Sequence, residues 1–523
     1  MKNIKLNIGL RIIVFSLFVL SGCNNEEFLS LKTPLEKDWQ TLGEFDKAPI
    51  GTYRRSFLSD WHNLHTTSVL LKSFQSDEAF LLPGTIGNIP FNEMYTRQST
   101  QPIDKSRYIF GIAYQVIATC NAGLDYIKDN DGNPYKGLSD SDIENNLRRI
   151  EGELYFMRAF SYYRLSQVFL PPYEKSGSND DKILPWKISL EENTEAQIST
   201  ELATTQMVYD QMVEDLQKAK NLLPEKYMEG VHFHSYQYGR ATKYAAAALL
   251  GKVLFAMQQN TEAIDELSFV IESNQFSLPA DPLSTFQYYS TPNGGPESIW
   301  YAYTGNTTLG GWQMAELTSI CLQQPNTGNF ARVSWNQLAF SYSMLEEIGW
   351  MEDPLNGDYT LTPEAIADKR VGSVYTLTTG KDPFADVTTP LLWCDKYFNG
   401  DVAKGIPGQN LNIPIIRLAE LYLTRSWLRF QEGDLDGATK DLNQVRNRAG
   451  IGDLPGTITE KAIINERTKE LFMEGDRTDF LRAAHLPIPP GDRVGVSDLP
   501  YNTPRLIWSL PLQETELNQA FRD

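Results

Sequence analysis

The residues to weigh first for chemistry are the histidines and one acidic turn. His62 and His65 stand three apart, and His232-Phe-His234 would set two imidazoles on one face of a strand. Each pair is half of a tetrahedral metal set, and no third ligand stands at metal-ligand spacing beside either. Capping or solvated roles are expected of them. Asp129, Asp131 and Asn133 reproduce the first ligand positions of a calcium loop, with Asp140 at the twelfth. Pro134 stands where that loop needs glycine, so a plain turn is expected. The chain has no GxSxG elbow, no P-loop and no GxGxxG motif. Its carboxylates are too many for one pair to point to glycoside hydrolysis, which depends on their separation in space. No catalytic residue, resident metal or cofactor is expected.

The elements that must position any site are helical hairpins. Ile413 to Gly450 reads as two helices folded back on each other. Pro414 suits a first helical turn. Ile415, Leu418, Ala419, Tyr422, Ser426 and Phe430 form one stripe, Gly433 ends the first helix and Asp434 caps the second. Leu435, Ala438, Leu442, Val445 and Ala449 then step by three and four. Gly251, Ala263, Leu267 and Val270 repeat the offsets of Ser426, Ala438, Leu442 and Val445. Those are positions where a tetratricopeptide repeat needs small and apolar residues for close helix packing. A generic amphipathic hairpin would satisfy the same pattern.

Further helices are expected over Asp46–Leu58, Lys105–Lys128, Ser141–Phe169, Thr204–Leu223 and Thr459–Ala484, with hairpin helices at Tyr244–Met257 and Thr261–Ser273. Ser141 with Glu144 would form the capping box of the third. Ser298–Tyr303 has strand composition. From about Phe276 to Gln409 the chain turns irregular and rich in Gly, Thr and scattered aromatics. Rigid scaffolds that carry long loops commonly bind through them. Arg417 with Glu420, and Arg467 with Glu470 and Glu474, have the spacing of helical ion pairs.

Length and composition set the frame. The 523 residues suffice for a large core, and 41% hydrophobic with 22% charged residues is a globular balance. A net charge of −19 argues against a nucleic-acid partner, since nothing would neutralise phosphates. Lys2, Lys5 and Arg11 precede Ile12–Leu20, nine residues of which only Ser16 is polar. That is half of what a bilayer span needs and fits a signal peptide. Leu20-Ser-Gly-Cys23 follows and resembles a bacterial lipoprotein box, with cleavage before Cys23 and acylation of Cys23. An ordinary signal peptide with an incidental cysteine is the alternative, and the small Ser21 and Gly22 directly before Cys23 favour the lipoprotein box. Asn24-Asn-Glu-Glu27 is either an export signal for surface lipoproteins or a solvated spacer. Cys120, Cys321 and Cys394 are too dispersed for a disulfide framework and are expected as buried thiols.

Several stretches resemble one family. They are Glu151-Gly-Glu-Leu-Tyr-Phe-Met-Arg-Ala-Phe160 with Tyr162-Tyr163, Gly239-Arg-Ala-Thr-Lys243, Ile416-Arg-Leu-Ala-Glu-Leu-Tyr-Leu423, Leu442-Asn-Gln-Val-Arg-Asn-Arg-Ala-Gly450, Asn465-Glu-Arg-Thr-Lys-Glu-Leu-Phe-Met-Glu-Gly-Asp-Arg477 and Ser76-Asp-Glu78. Taken in chain order they resemble the SusD/RagB family of outer-membrane lipoproteins across almost the whole mature chain. Arg425-Ser-Trp427 and Phe169-Leu-Pro-Pro172 depart from the pattern. The resemblance implies a mainly α fold, with tetratricopeptide-type hairpins, a loop-rich irregular half and a few short strands. It implies a signal peptide over 1–22, a lipid-anchored linker over 23–45, a helical region over 46–275 and a C-terminal region over 276–523. It implies a cell-surface binder of oligosaccharide, or of peptide, that covers a SusC-like TonB-dependent transporter and is tethered to the outer membrane facing outward, without catalysis. The motif residues themselves are expected to be structural. A surface glycoside hydrolase and a periplasm-facing repeat scaffold are the readings from other classes.

Sugar binding needs flat rings for C–H faces, and amides or carboxylates for hydroxyls. The expected ligand-binding residues are Phe91, Asn92 and Tyr95 in one irregular segment, and Tyr288, Tyr289, Tyr303, Asn306, Trp312 and Gln313 in the other. Trp312 leads, because a bulky ring beside Gly310-Gly311 on an exposed loop is costly without a partner. Packing within the irregular half is the plainer alternative for the rest.

Overall fold

A computed structural model describes residues 39–58, 62–82, 93–97, 103–190, 201–233, 239–288, 293–303, 317, 338–353, 359–378, 390–397 and 412–521. Met1–Gln40 and Thr41–Asp523 are separate compact units, and only Trp39 and Gln40 of the first are described. The leader, Cys23 and Cys321 lie outside the described residues. Among the described residues, no helix is long and apolar enough to cross a membrane.

The architecture is mainly α. Helices α1 Lys47–Phe57, α2 Leu64–Gln75, α3 Asp104–Asp129, α4 Arg148–Phe169, α5 Thr205–Leu222, α6 Lys243–Ala256 and α7 Asn260–Ile271 precede the irregular stretch. Helices α8 Leu418–Gln431, α9 Leu435–Arg448, α10 Glu460–Leu471 and α11 Arg477–Ala483 follow it. From α3 to α9 each helix packs on the next, and α7 packs on α8 although the irregular stretch separates them in sequence. Small residues sit where helices cross. A Cβ on Gly123 would overlap Leu154, one on Gly152 would come 2.9 Å from Leu222 Cβ, and one on Gly251 would come 2.9 Å from Leu267 Cδ2. Ser426, the counterpart of Gly251, donates its hydroxyl to the Ala438 carbonyl at 2.8 Å. The two repeat hairpins are thus joined at matching positions.

Local chemistry sets most helix ends. Thr204, Thr242, Asp434 and Thr459 accept backbone N–H groups at the starts of α5, α6, α9 and α10. Gly433 takes a φ of 83° after α8, a conformation L side chains resist. The expected Ser141 cap is corrected. Ser139 caps a short turn over Asp140–Asp142, accepting from Asp142 N at 3.0 Å, and a π turn over Ile143–Leu147 leads into α4. The wider turn adds a residue to the spiral and brings fully buried Leu147 and Ile150 to one face.

Two more expectations change. Pro414 does not begin a helix: Ile413–Arg417 is a strand, paired antiparallel with Ser298–Ala302, and α8 starts at Leu418. Three isoleucines favour the extended form, and Pro414 sits beside a register shift in a two-stranded ladder, where its missing N–H is tolerated. The single helix expected over Thr459–Ala484 is broken between α10 and α11. There Phe472 and Met473 turn fully inside, and Gly475 lies with its Cβ position 3.0 Å from Val69 Cα.

The strands are short and paired in twos. In chain order they are β1 Ala79–Leu81, β2 Lys182–Pro185, β3 Leu202–Thr204, β4 Ser298–Ala302, β5 Leu338–Phe340, β6 Met351–Glu352, β7 Thr360–Leu361, β8 Tyr375–Thr378, β9 Leu391–Cys394 and β10 Ile413–Arg417. The described pairs, all antiparallel, are β1 with β5, β2 with β3, β4 with β10, β6 with β7 and β8 with β9. Trp300 of β4 anchors the irregular half in the helical core. Its ring meets Phe57, Phe156 and Phe160 edge to face at 5.3, 4.7 and 4.9 Å.

Arg417 also joins the two halves, with partners other than Glu420. Its guanidinium donates to Glu297 at 2.8 Å, to Glu470 at 2.6 Å and to both oxygens of Glu474 at 2.7 and 2.8 Å. Glu420 instead holds Lys252, and Arg467 holds Asp476 at 2.6 and 2.7 Å. Helical spacing misassigned these partners because Arg417 is the last residue of a strand and the 472–476 break carries Glu474 onto another course.

Candidate functional site

Two aromatic groups gather in the irregular half. The first rests on a small core of Leu82, Ala339, Leu391 and Trp393, against which Phe80 and Tyr342 pack. The β1–β5 and β8–β9 ladders supply that core, since their short apolar runs bury it from both sides. Tyr342 stacks on Tyr359 with ring centres 4.3 Å apart and planes at 19°. Both residues are half-buried. Asp492 accepts from the backbone N–H of Tyr342 at 2.7 Å and of Ser343 at 3.0 Å. Burial, then Tyr359 and Asp492 nearby, push the Tyr342 hydroxyl up to about 12.

Tyr95 belongs to this neighbourhood. The Arg493 guanidinium lies 4.0 Å above its ring, and Arg493 Nε donates to the Tyr95 carbonyl at 2.6 Å. Arg493 is itself fixed by the carbonyls of Phe74 and Pro490 at 2.8 and 2.7 Å. One face of Tyr95 is therefore covered, and burial raises its hydroxyl first, with Asp492 acting the same way and Arg493 against it.

The second group lies at the end of β4. Tyr288, Tyr301 and Tyr303 are each half-buried. Gly294 and Gly295 are wedged between two of them: a Cβ on Gly294 would overlap the Tyr301 ring, and one on Gly295 the Tyr288 ring. Asn412 ties the group down, donating its N–H to the Tyr288 carbonyl and its side-chain amide to the Asn293 carbonyl, both at 2.8 Å. Burial raises the Tyr301 hydroxyl to about 12, and Tyr303 beside it acts in the same direction.

Of the nine residues named from sequence as ligand-binding, the structure brings Tyr288 and Tyr303 to one group and Tyr95 to the other. Phe91, Asn92, Tyr289, Asn306, Trp312 and Gln313 lie outside the described residues. Sequence reasoning missed Tyr301, Tyr342 and Tyr359. A signal for Tyr359 existed: it follows Asn356-Gly-Asp358, a loop context like that of Trp312.

The histidines have other occupations. His62 Nδ1 lies 3.0 Å from Lys105 Nζ, His65 Nδ1 accepts from Arg164 at 2.8 Å, and His232 Nδ1 accepts from the Met228 N–H at 2.8 Å. His234 is outside the described residues. Asp129–Asn133 closes as a turn, with the Gly132 N–H bonded to the Ile127 carbonyl at 2.9 Å. Among the described residues no group of three His, Cys, Asp or Glu is placed to hold a metal. Cys120 and Cys394 are buried free thiols.

Comparison with known proteins gives the family. Residues 66–255 match a family model described as "Starch-binding associating with outer membrane", and residues 296–482 match the model of the SusD family. The starch-binding protein SusD of Bacteroides thetaiotaomicron is 34% identical over 100 residues, which is 19% of this chain and 18% of that protein. SusD-like protein P2 of Formosa agariphila is 24% identical over 487 residues, 88% of this chain and 87% of its own. In fold, a SusD superfamily protein of Bacteroides thetaiotaomicron matches with a TM-score of 0.70 at 20% identity, covering 92% of this chain and 98% of that one. A SusD-like carbohydrate binding protein of Bacteroides vulgatus matches with a TM-score of 0.68 at 16% identity, covering 92% and 97%. With both family models matched in order and the fold shared end to end, the chain belongs to the SusD/RagB family.

Proposed function

We propose that this protein is an outer-membrane carbohydrate-binding protein. It captures oligosaccharide at the cell surface and passes it to a SusC-like TonB-dependent transporter, held to the membrane through acylated Cys23. The starch-binding and carbohydrate-binding descriptions of its relatives support the ligand class. The observation that carries the reading is the Tyr342–Tyr359 stack beside Asp492. The half-buried Tyr359 ring, stacked on the single described partner Tyr342, suits a pyranose C–H face, and a carboxylate at the rim suits hydroxyls.

The other candidates stand close in sequence to members of the two aromatic groups. Phe91 and Asn92 lie in the connection between Leu82 and Tyr95. Tyr289 follows Tyr288, and Asn306, Trp312 and Gln313 follow Tyr303. These residues are the proposed ligand contacts, and the protein acts on its ligand by holding it, not by chemistry.

The test is calorimetric titration of the full-length protein with a panel of oligosaccharides and peptides, alongside Tyr359→Ala, Tyr303→Ala and Trp312→Ala. Enthalpic binding of at least one oligosaccharide, weakened about tenfold or more by one of the variants, is expected. Hydrolysis of the sugar during titration, or binding of peptides only, would overturn the reading.

A further inference from the structure

A polar cavity of about 90 Å³ lies among the helices, and none of the residues proposed to contact carbohydrate lines it. Its walls come from α2, α4, α6 and α8, and α10 and α11 close it. The carboxylates in those walls already hold cations. Asp479 accepts from Lys72 at 3.0 Å and from Gln167 at 2.5 Å. Glu420 holds Lys252, Asp476 holds Arg467, and Glu474 holds Arg417 and Lys396.

The donors are not matched in the same way. Arg164 donates to the Gln167 amide oxygen at 2.9 Å and to His65 Nδ1 at 2.8 Å, both uncharged groups. Among the described residues no carboxylate pairs with it. A guanidinium can only donate, so His65 Nδ1 is bare and the ring proton sits on Nε2. His65 is 4% exposed and Tyr163 is 8% exposed. Neither His65 Nε2 nor the Tyr163 hydroxyl has a hydrogen-bond partner among the described residues, and both side chains line the cavity. These groups are close together: Arg164 Cζ lies 5.9 Å and Lys252 Nζ 5.8 Å from the centre of the Tyr163 ring. Arg164 and Lys252 together, after burial itself, hold the His65 imidazole well below its ordinary range and therefore neutral.

Buried polar groups are normally satisfied, and a buried guanidinium normally meets an anion. Here every unused group can donate, so the missing component is an acceptor that carries negative charge. The volume admits about six water-sized atoms. Phe255 and Phe480 add apolar wall beside the donors. We propose that this cavity binds a short-chain carboxylate, with its anionic end at Arg164, Tyr163 and His65 and its tail against Phe255 and Phe480.

The test is calorimetry and thermal unfolding of the full-length protein with sodium acetate and sodium butyrate, referenced to sodium chloride and sodium sulfate at equal ionic strength. Saturable butyrate binding that raises the melting temperature beyond the chloride reference is expected. Tyr163→Phe, which removes one donor at constant shape, should weaken it about tenfold, and Arg164→Gln should weaken it about a hundredfold. If Arg164→Gln does not fold, Tyr163→Phe decides. No carboxylate effect beyond chloride, an equal effect from sulfate, or undiminished binding by Tyr163→Phe would overturn the proposal.

Discussion

Asp77 and Arg477 face each other across the core as a two-pronged pair, with Oδ1 to Nε at 3.0 Å and Oδ2 to Nη2 at 2.9 Å. They are 400 residues apart in sequence and both are buried. Ser76-Asp-Glu78 and the Asp-Arg477 end of the last family stretch are therefore two halves of one contact. Removing one charge leaves the other buried and unpaired. Asp77→Asn should cost about 3–5 kcal/mol in denaturant unfolding, and Asp77→Asn with Arg477→Met should recover part of it. A loss under about 1 kcal/mol would mean that water reaches the pair.

Glu78, next in sequence, gives a pH test. Burial first, and then Asp77, push its carboxyl up to about 8. The folded state therefore keeps a proton that the unfolded chain releases near its ordinary value. Its contribution to stability is greatest below the ordinary carboxylate range and falls as pH rises toward about 8. Glu78→Gln should remove that slope. The variant should gain on the wild type by ~2 kcal/mol or more between pH 5 and pH 8, read from unfolding midpoints at each pH.

Two helical glycines should respond oppositely to alanine. Gly111 on α3 has nothing within 4 Å of its Cβ position, so Gly111→Ala should stabilise by ~0.5–1 kcal/mol through helix propensity. At Gly152 the new methyl would lie 2.9 Å from Leu222 Cβ, and the crossing of α4 and α5 would have to open. Gly152→Ala should destabilise by ~1–3 kcal/mol, with urea midpoints as the readout.

The start of α4 can be checked by capping. Ser139→Ala should cost ~1 kcal/mol, since the Ser139 hydroxyl accepts from the Asp142 N–H and donates to the Asp142 carboxylate. Ser141→Ala should stay within ~0.5 kcal/mol. Equal losses would return the cap to Ser141.

Tyr359→Ala should separate binding from folding. The ring is half-buried and stacks on a single described partner, Tyr342. Its removal should move the melting temperature by no more than ~2 °C while weakening oligosaccharide binding about tenfold or more. Comparable loss of both would make the stack part of the fold.

Much of the helical order is legible in the sequence. The hairpins at 243–271 and 418–448 follow from apolar steps of three and four, and from a cap such as Asp434. Such signals act within one or two turns, so the residues that decide them are neighbours in the chain. The packed offsets also survive folding, because a Cβ at 251 would meet Leu267 where Ser426 bonds the backbone of Ala438.

What tertiary structure decided is partnership over distance. Isoleucines at 413, 415 and 416 fit a helical stripe or a strand, and only β4 alongside made them a strand. Arg417 has one carboxylate, Glu420, at helical spacing, yet its partners Glu297, Glu470 and Glu474 lie 53 to 120 residues away. The Tyr342–Tyr359 stack and the donor-rich cavity around Arg164 and Tyr163 join residues that no local pattern connects. Backbone conformation answers to near neighbours through sterics and hydrogen bonding. Charges and rings find whichever partner the packed helices bring within a few ångströms, and sequence spacing does not record that approach.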